Sequence, residues 1–365
     1  MPYKIFVINP GSTSTKLAFF EDEKKIFQES VFHDSAVLRQ FGHINDQLDY
    51  RMEVVNRFIK DHQIDLSDVD AIAARGGSCY SVASGVYEVD DLLVQHTKEG
   101  RGGLHHVANL GVQMGQKLQQ TYGGRLFTMD PTVVNEYQDL ARITGLKGVY
   151  RKAGWHALNQ KATARYHAER TGTRYEDSRY IICHIDGGIS IAAHEYGRCI
   201  DCNDASGGEG PFTPTRMGSM AVTDMAEKLE GKTADEIYMM CMEAGGLSSH
   251  FGTSDSDVVH ARVEAGDPEA TRVWQAMIYQ ICKWIGSMSV VLKGKVDAII
   301  LTGRLCRFDD LVAMIKDYCG HIAPIAVYPS ELEMEALAGG ALKVLRGELE
   351  PMRYSGHPVW QGFDD

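Results

Sequence analysis

Two segments of the chain bring glycine, hydroxyl and charged side chains together in a way suited to holding phosphate. In the first, an apolar run at 5–8 leads into Asn9-Pro10-Gly11, then Ser12, Thr13, Ser14, Thr15 and Lys16, before a second apolar run opens at Leu17. In the second, an apolar run at 180–185 leads into Asp186-Gly187-Gly188 and a further run at 189–194 that carries Ser190. Each reads as a β-hairpin whose tip offers backbone N–H groups and side-chain donors to an anion. Two more charged residues stand where strand-like runs end, Arg75 after 69–74 and Asp130 after 125–129. Open α/β sheets bind their ligands at the C-terminal ends of their strands.

The elements that must position these residues alternate in type. Met52, Val55, Phe58 and Ile59 fall on one face of a helix expected over 47–62. Further helices are expected over 107–122, ended by Gly123-Gly124, and over 155–170, closed by Gly172. Thr233 and Glu236 form a capping box. Asp267-Pro268-Glu269 opens a long helix with Val273, Met277, Ile281, Ile285, Met288 and Leu292 on one face. A buried strand at 296–301 runs into Thr302-Gly303-Arg304, and a strand at 325–328 and a helix at 331–346 follow. The stretch 201–218, rich in glycine and proline, reads as loop. A hairpin followed by alternating helices and strands occurs twice, which predicts two duplicated α/β domains with the active site in the cleft between them.

Composition narrows the function classes. A chain of 365 residues is long enough for two cores. A formal net charge of −12 argues against a nucleic-acid surface. No segment reads as a signal peptide or membrane span, so a cytoplasmic protein is expected. The eight cysteines are too dilute for a disulfide scaffold, and Cys199-Ile200-Asp201-Cys202 lacks the second ligand pair of a zinc site. There is no Walker loop, no dinucleotide fingerprint and no nucleophile elbow.

Several motifs in order resemble the acetokinase family, most closely its butyrate-kinase branch. They are NPGSTSTK (9–16), the Asp130-Pro131 pair, RKAGWHALNQKA (151–162), GEGPFTP (208–214), GGLSSHFGTSDSDV (245–258) and PSELEMEALAGGAL (329–342). The resemblance runs from about 4 to 347. It implies two ribonuclease H-like domains of the sugar kinase, chaperone ATPase and actin superfamily. The expected division is 1–154 plus 331–365 for an N-terminal domain completed by the last helix, and 155–330 for a nucleotide-binding domain. The implied reaction is reversible phosphoryl transfer between ATP and a short carboxylate such as butyrate, giving an acyl phosphate and ADP, with Mg²⁺ as cofactor. Propionate, isobutyrate or isovalerate are alternative acids, and a nucleotide-binding paralogue with impaired catalysis is the alternative outside catalysis. A homo-oligomer is expected.

The resemblance also assigns residues. Arg75, Asp130, His156 and Arg216 are expected to be catalytic. Asn9, Ser12, Ser14, His105, Gly187, Gly188, Ser190 and Gly303 are expected around the phosphates and nucleotide. Asp130 with Glu331 or Glu333 is expected to hold Mg²⁺. Gly77 stands where acetate kinases have valine, so it is expected to open an acyl pocket with Leu104, Trp155 and Pro214, favouring four-carbon or branched acids. On that reading Gly77→Val shifts selectivity toward acetate. Arg304 replaces a glycine of the family's adenosine loop.

Overall fold

The computed structural model describes residues 1–363 apart from 13, 39 and 103–105. The chain divides into two compact units, Met1–Asn135 with Leu332–Asp365, and Glu136–Glu331.

In the first unit six strands, β1 (Lys4–Pro10), β2 (Ser14–Glu21), β3 (Lys24–Phe32), β4 (Ala71–Ala74), β5 (Val86–Glu88) and β6 (Arg125–Met129), form a sheet in the order β3-β2-β1-β4-β6-β5. The first three strands are an antiparallel meander, while β4 and β6 add parallel to β1. Phe6, Ile8, Leu17, Phe19 and Ile72 are buried beneath the helices Leu48–Asp61 and Asn109–Tyr122. The helix Glu333–Leu345 packs on β1, β4 and β6. Its Gly340 sits where a Cβ would meet Met129 Sδ at 2.8 Å, so this helix approaches the sheet closely.

The second unit repeats the plan. Its strands are β7 (Arg179–Ile185), β8 (Ile189–Glu195), β9 (Arg198–Cys202), β10 (Ala298–Thr302) and β11 (Ile325–Tyr328), in the order β11-β10-β7-β8-β9. Again an antiparallel meander is followed by two parallel additions. Alternate residues of β7 bury opposite faces, as a strand's two-residue period requires. Ile181, Cys183 and Ile185 join the core around the helix Pro268–Val291, whereas Tyr180 and Ile182 pack with Ala164 and Ala168 of the helix Ala157–Thr171. Asp267 caps the long helix by accepting from Glu269 N (2.9 Å) and Ala270 N (3.1 Å), and Pro268 occupies its first turn.

Three strands escape sequence reasoning. β3 is mostly exposed, so it lacks an apolar alternation. β5 has three residues, and β9 lies at the start of what reads as loop. Lys16 is a strand residue opposite Asn9, not part of the hairpin tip. The first unit ends at Asn135 rather than at 154. The intervening residues bond to β9 and the loop after it: Gln138 N donates to Ile200 O (3.0 Å), Tyr137 Oη to Cys202 O (3.1 Å), and Arg151 pairs with Asp201 and Glu209. All eight cysteines are buried free thiols. Among the described residues no helix is long and apolar enough to cross a membrane.

Candidate active site

In the first unit the register of the sheet builds the site. Ile8 of β1 lies opposite Ala74 of β4 in parallel pairing, so the next residues, Asn9 and Arg75, emerge side by side at the strand ends. Glu333 opens the helix Glu333–Leu345 and is 2% exposed. Its Oε2 accepts from Arg75 Nη1 (2.6 Å) and from Asn9 Nδ2 (2.6 Å). The positive end of the helix adds to the stabilisation of this carboxylate. Glu333 Oε1 and Arg75 Nε are buried and make no hydrogen bond among the described residues. The cluster therefore keeps one carboxylate oxygen for a cation and guanidinium donors beyond Nη1 for an oxyanion.

Asp130 is the residue after β6, buried, with a positive φ of 39° that non-glycine residues rarely adopt. Its Oδ1 accepts from Ser84 Oγ (2.6 Å) and Gly85 N (2.9 Å), which fixes the carboxylate. At the first hairpin, Gly11 N donates to Ser14 O (2.7 Å), Ser12 is exposed and Ser14 is half-buried. Beneath this tip lies Arg51, fully buried, whose pKa burial draws down to about 10. His33 is buried nearby, with Nε2 against Thr15 Oγ1 (2.8 Å), and burial together with the charge of Arg51 draws its pKa down to about 4.

The expected pocket is corrected at Gly77. A Cβ there would lie 2.5 Å from the Cα and N of Asn109, so the missing side chain makes way for the helix Asn109–Tyr122, while Gly76 and Gly77 line a small cavity with Tyr87, Leu93, Val112 and Pro131. Gly76 likewise faces Pro131 and Thr128, each with an atom 2.8 Å from its ideal Cβ. Leu104 and His105 lie outside the described residues.

In the second unit the hairpin tip Asp186-Gly187-Gly188 is held from the loop after β9. Thr213 Oγ1 donates to Gly187 O at 2.7 Å and Thr215 Oγ1 does so at 3.3 Å. The guanidinium of Arg216 lies against Gly188, where any Cβ would collide with it. Arg216 donates to Ala205 O, its Nε is enclosed without a hydrogen-bond partner among the described residues, and desolvation lowers its pKa. Glycine at 188 is thus what lets a cation sit on the tip.

His156 precedes the helix Ala157–Thr171. Its Nδ1 meets Ser190 Oγ at 2.8 Å, and its ring stacks on His184 with centroids 3.8 Å apart and planes 16° off parallel. Ser190 is fully buried and also accepts from Gln160 Nε2 (2.7 Å), so its hydroxyl supports His156 instead of facing a phosphate. Asn9 is similarly committed to Glu333 and Arg75. His184, Asp186 and Glu331 each present a ligand atom within 4.8 Å of the others. Glu331 and Glu333, two positions apart in sequence, therefore serve different clusters in different units.

Trp155 and Pro214 are buried, the former packed edge-on against His194 and the latter accepting from Ser248 N (2.9 Å) at its backbone carbonyl. Gly303 has φ 99°, and a Cβ there would lie 2.5 Å from Ile185 O. The next residue, Arg304, is exposed and its N–H donates to Asp186 Oδ2 (3.2 Å).

Residues 132–326 match the model of the acetokinase family. The chain is 44% identical over 354 residues, 96% of its length, to a protein named "Probable butyrate kinase 2" from Caldanaerobacter subterraneus subsp. tengcongensis, 99% of which is covered. The chain belongs to the acetokinase family. Its fold is that of the acetate kinase of Porphyromonas gingivalis (TM-score 0.73, 20% identity, 94% of this chain and 100% of that one). It is equally that of a propionate kinase of Francisella tularensis subsp. tularensis (TM-score 0.76, 16% identity, 93% and 98%).

Within this acetokinase the sequence pointed to Asn9, Arg75, Glu333, His156, Ser190 and Arg216 separately; the structure joins Asn9, Arg75 and Glu333 in the first unit and His156 with Ser190 in the second, where Arg216 lies against Gly188. It missed Ser84, Thr213, His184 and Arg51. Arg51 carried a readable signal, since it sits beside Met52 on the stripe that the helix buries. Ser84 and Thr213 lie in loops with no periodicity to mark them.

Proposed function

We propose that this acetokinase transfers a phosphoryl group reversibly between ATP and butyrate, or a similar short or branched carboxylate. The observation that carries the reading is the 44% match over nearly the whole of both chains to the probable butyrate kinase. The geometry supports it. Phosphoryl transfer asks a protein chiefly to align reactants and neutralise charge. In the second unit, Gly187, Gly188 and the Arg216 guanidinium form a cationic tip suited to nucleotide phosphates. His156, oriented by Ser190, offers an imidazole to a phosphoryl oxygen. In the first unit, Arg75 offers its remaining donors to the carboxylate or the acyl phosphate, and Ser12 and Ser14 offer hydroxyls to phosphate.

Magnesium fits the donors present. Glu333 has a carboxylate oxygen without a hydrogen bond among the described residues, and hard oxygen ligands suit Mg²⁺. Glu333 and Asp130 are the residues assigned to it, and when bound it would neutralise phosphate charge. The His184, Asp186 and Glu331 set includes an imidazole, which suits Zn²⁺ better than Mg²⁺. The exposure of Arg304 favours an active enzyme over an impaired paralogue.

The test is hydroxamate trapping of acyl phosphate with ATP and Mg²⁺ across acids of two to five carbons. The expected result is the highest kcat/KM with butyrate or a branched four-carbon acid. Product with acetate alone would reassign the substrate, and ATP binding without any product would leave a nucleotide-binding paralogue.

A further inference from the structure

The buried guanidinium beneath the first hairpin has no role in the reading above. Arg51 Nη1 donates to Gly11 O (2.9 Å) and Nη2 to Ser12 O (2.9 Å), while Nε donates to Gln47 Oε1 (3.0 Å) at the N-cap of its own helix. All three acceptors are neutral, and among the described residues no carboxylate pairs with it. A fully buried, uncompensated cation is costly to keep. This one sits under a loop whose carbonyls it turns inward. Because a trans peptide is planar, drawing the Gly11 carbonyl toward Arg51 points the Ser12 N–H the opposite way.

We propose that Arg51 is a positioning residue for the phosphate-binding tip of the first hairpin, fixing Gly11 and Ser12 from below and supplying the buried positive charge that offsets the phosphate bound above. The proposal rests on the phosphate-binding role given to that tip. A lysine could keep the charge but could not bridge two carbonyls and Gln47 with one fixed fork.

The experiment compares ATP kinetics and melting temperature in wild-type protein, Arg51→Gln, Arg51→Lys and Val55→Ala. Val55 is buried one turn further along the same helix and weakens its packing without touching the tip. Arg51→Gln is expected to raise KM for ATP by about tenfold or more, leaving KM for the carboxylate within about twofold, with Arg51→Lys recovering part of the loss. Val55→Ala is expected to lower the melting temperature without moving KM for ATP. If Arg51→Gln does not fold, Arg51→Lys against Val55→Ala makes the same comparison. Unchanged ATP kinetics in the Arg51 variants, or an equal rise in Val55→Ala, would overturn the role of Arg51 alone. A folded wild-type protein that neither binds nor turns over ATP would overturn the tip's phosphate role and the proposal with it.

Discussion

Arg75, Asn9 and Glu333 form the tightest constellation in the first unit, and each depends on the other two. This buried carboxylate accepts from two donors at a helix N-terminus, yet one of its oxygens makes no hydrogen bond among the described residues. Replacing Glu333 with Gln keeps the shape and removes the charge. The account predicts that Glu333→Gln lowers kcat by about 100-fold and raises the Mg²⁺ concentration needed for half-maximal rate, with an unchanged far-UV circular dichroism spectrum. A kcat within about threefold of wild type would remove Glu333 from the chemistry. His33 gives a prediction on stability. It titrates near 4 in the folded chain and near 6.5 when unfolded, so the unfolded chain binds more protons between those values. Its contribution is fully present above pH 6.5 and is lost as pH falls toward 4, roughly 3 kcal/mol in all. Urea midpoints measured from pH 7 to 4.5 should fall more steeply for wild type than for His33→Gln, and parallel curves would contradict this.

Close approaches decide what the elements can tolerate. The β4 end and the helix Asn109–Tyr122 meet at Gly77, where a Cβ has no room. Gly77→Val is therefore expected to destabilise the protein by about 3 kcal/mol or more, without turning acid preference toward acetate. A soluble, fully stable variant with altered selectivity would restore the pocket reading. Sequence reasoning took this glycine for an opening because a single chain cannot reveal which backbone will occupy the space. The strongly periodic elements were legible: the helix Pro268–Val291 with its Asp267 cap, the strand Arg125–Met129 and the strand Ile325–Tyr328 stand where pattern and capping placed them. β3 was not, since its exposed residues carry no alternation for a core to impose.

At the scale of the whole chain, the two sheets share one plan, a meander extended by parallel strands, and the paired glycine-tipped hairpins announced that repetition in the sequence. Motifs spaced hundreds of residues apart could be matched to a family. Their grouping could not be read, because Glu331 and Glu333 differ by two positions and yet belong to separate units. Ser190 and Asn9 carried the residue types of phosphate ligands, but burial commits them to His156 and Glu333. The central claim is that this chain moves the terminal phosphoryl group of ATP onto a short carboxylate. Phosphorus-31 NMR of the wild-type protein with ATP, Mg²⁺ and butyrate tests it directly. The account predicts an acyl phosphate resonance growing in step with ADP. ATP left intact, or cleaved to inorganic phosphate while butyrate remains unmodified, would contradict it.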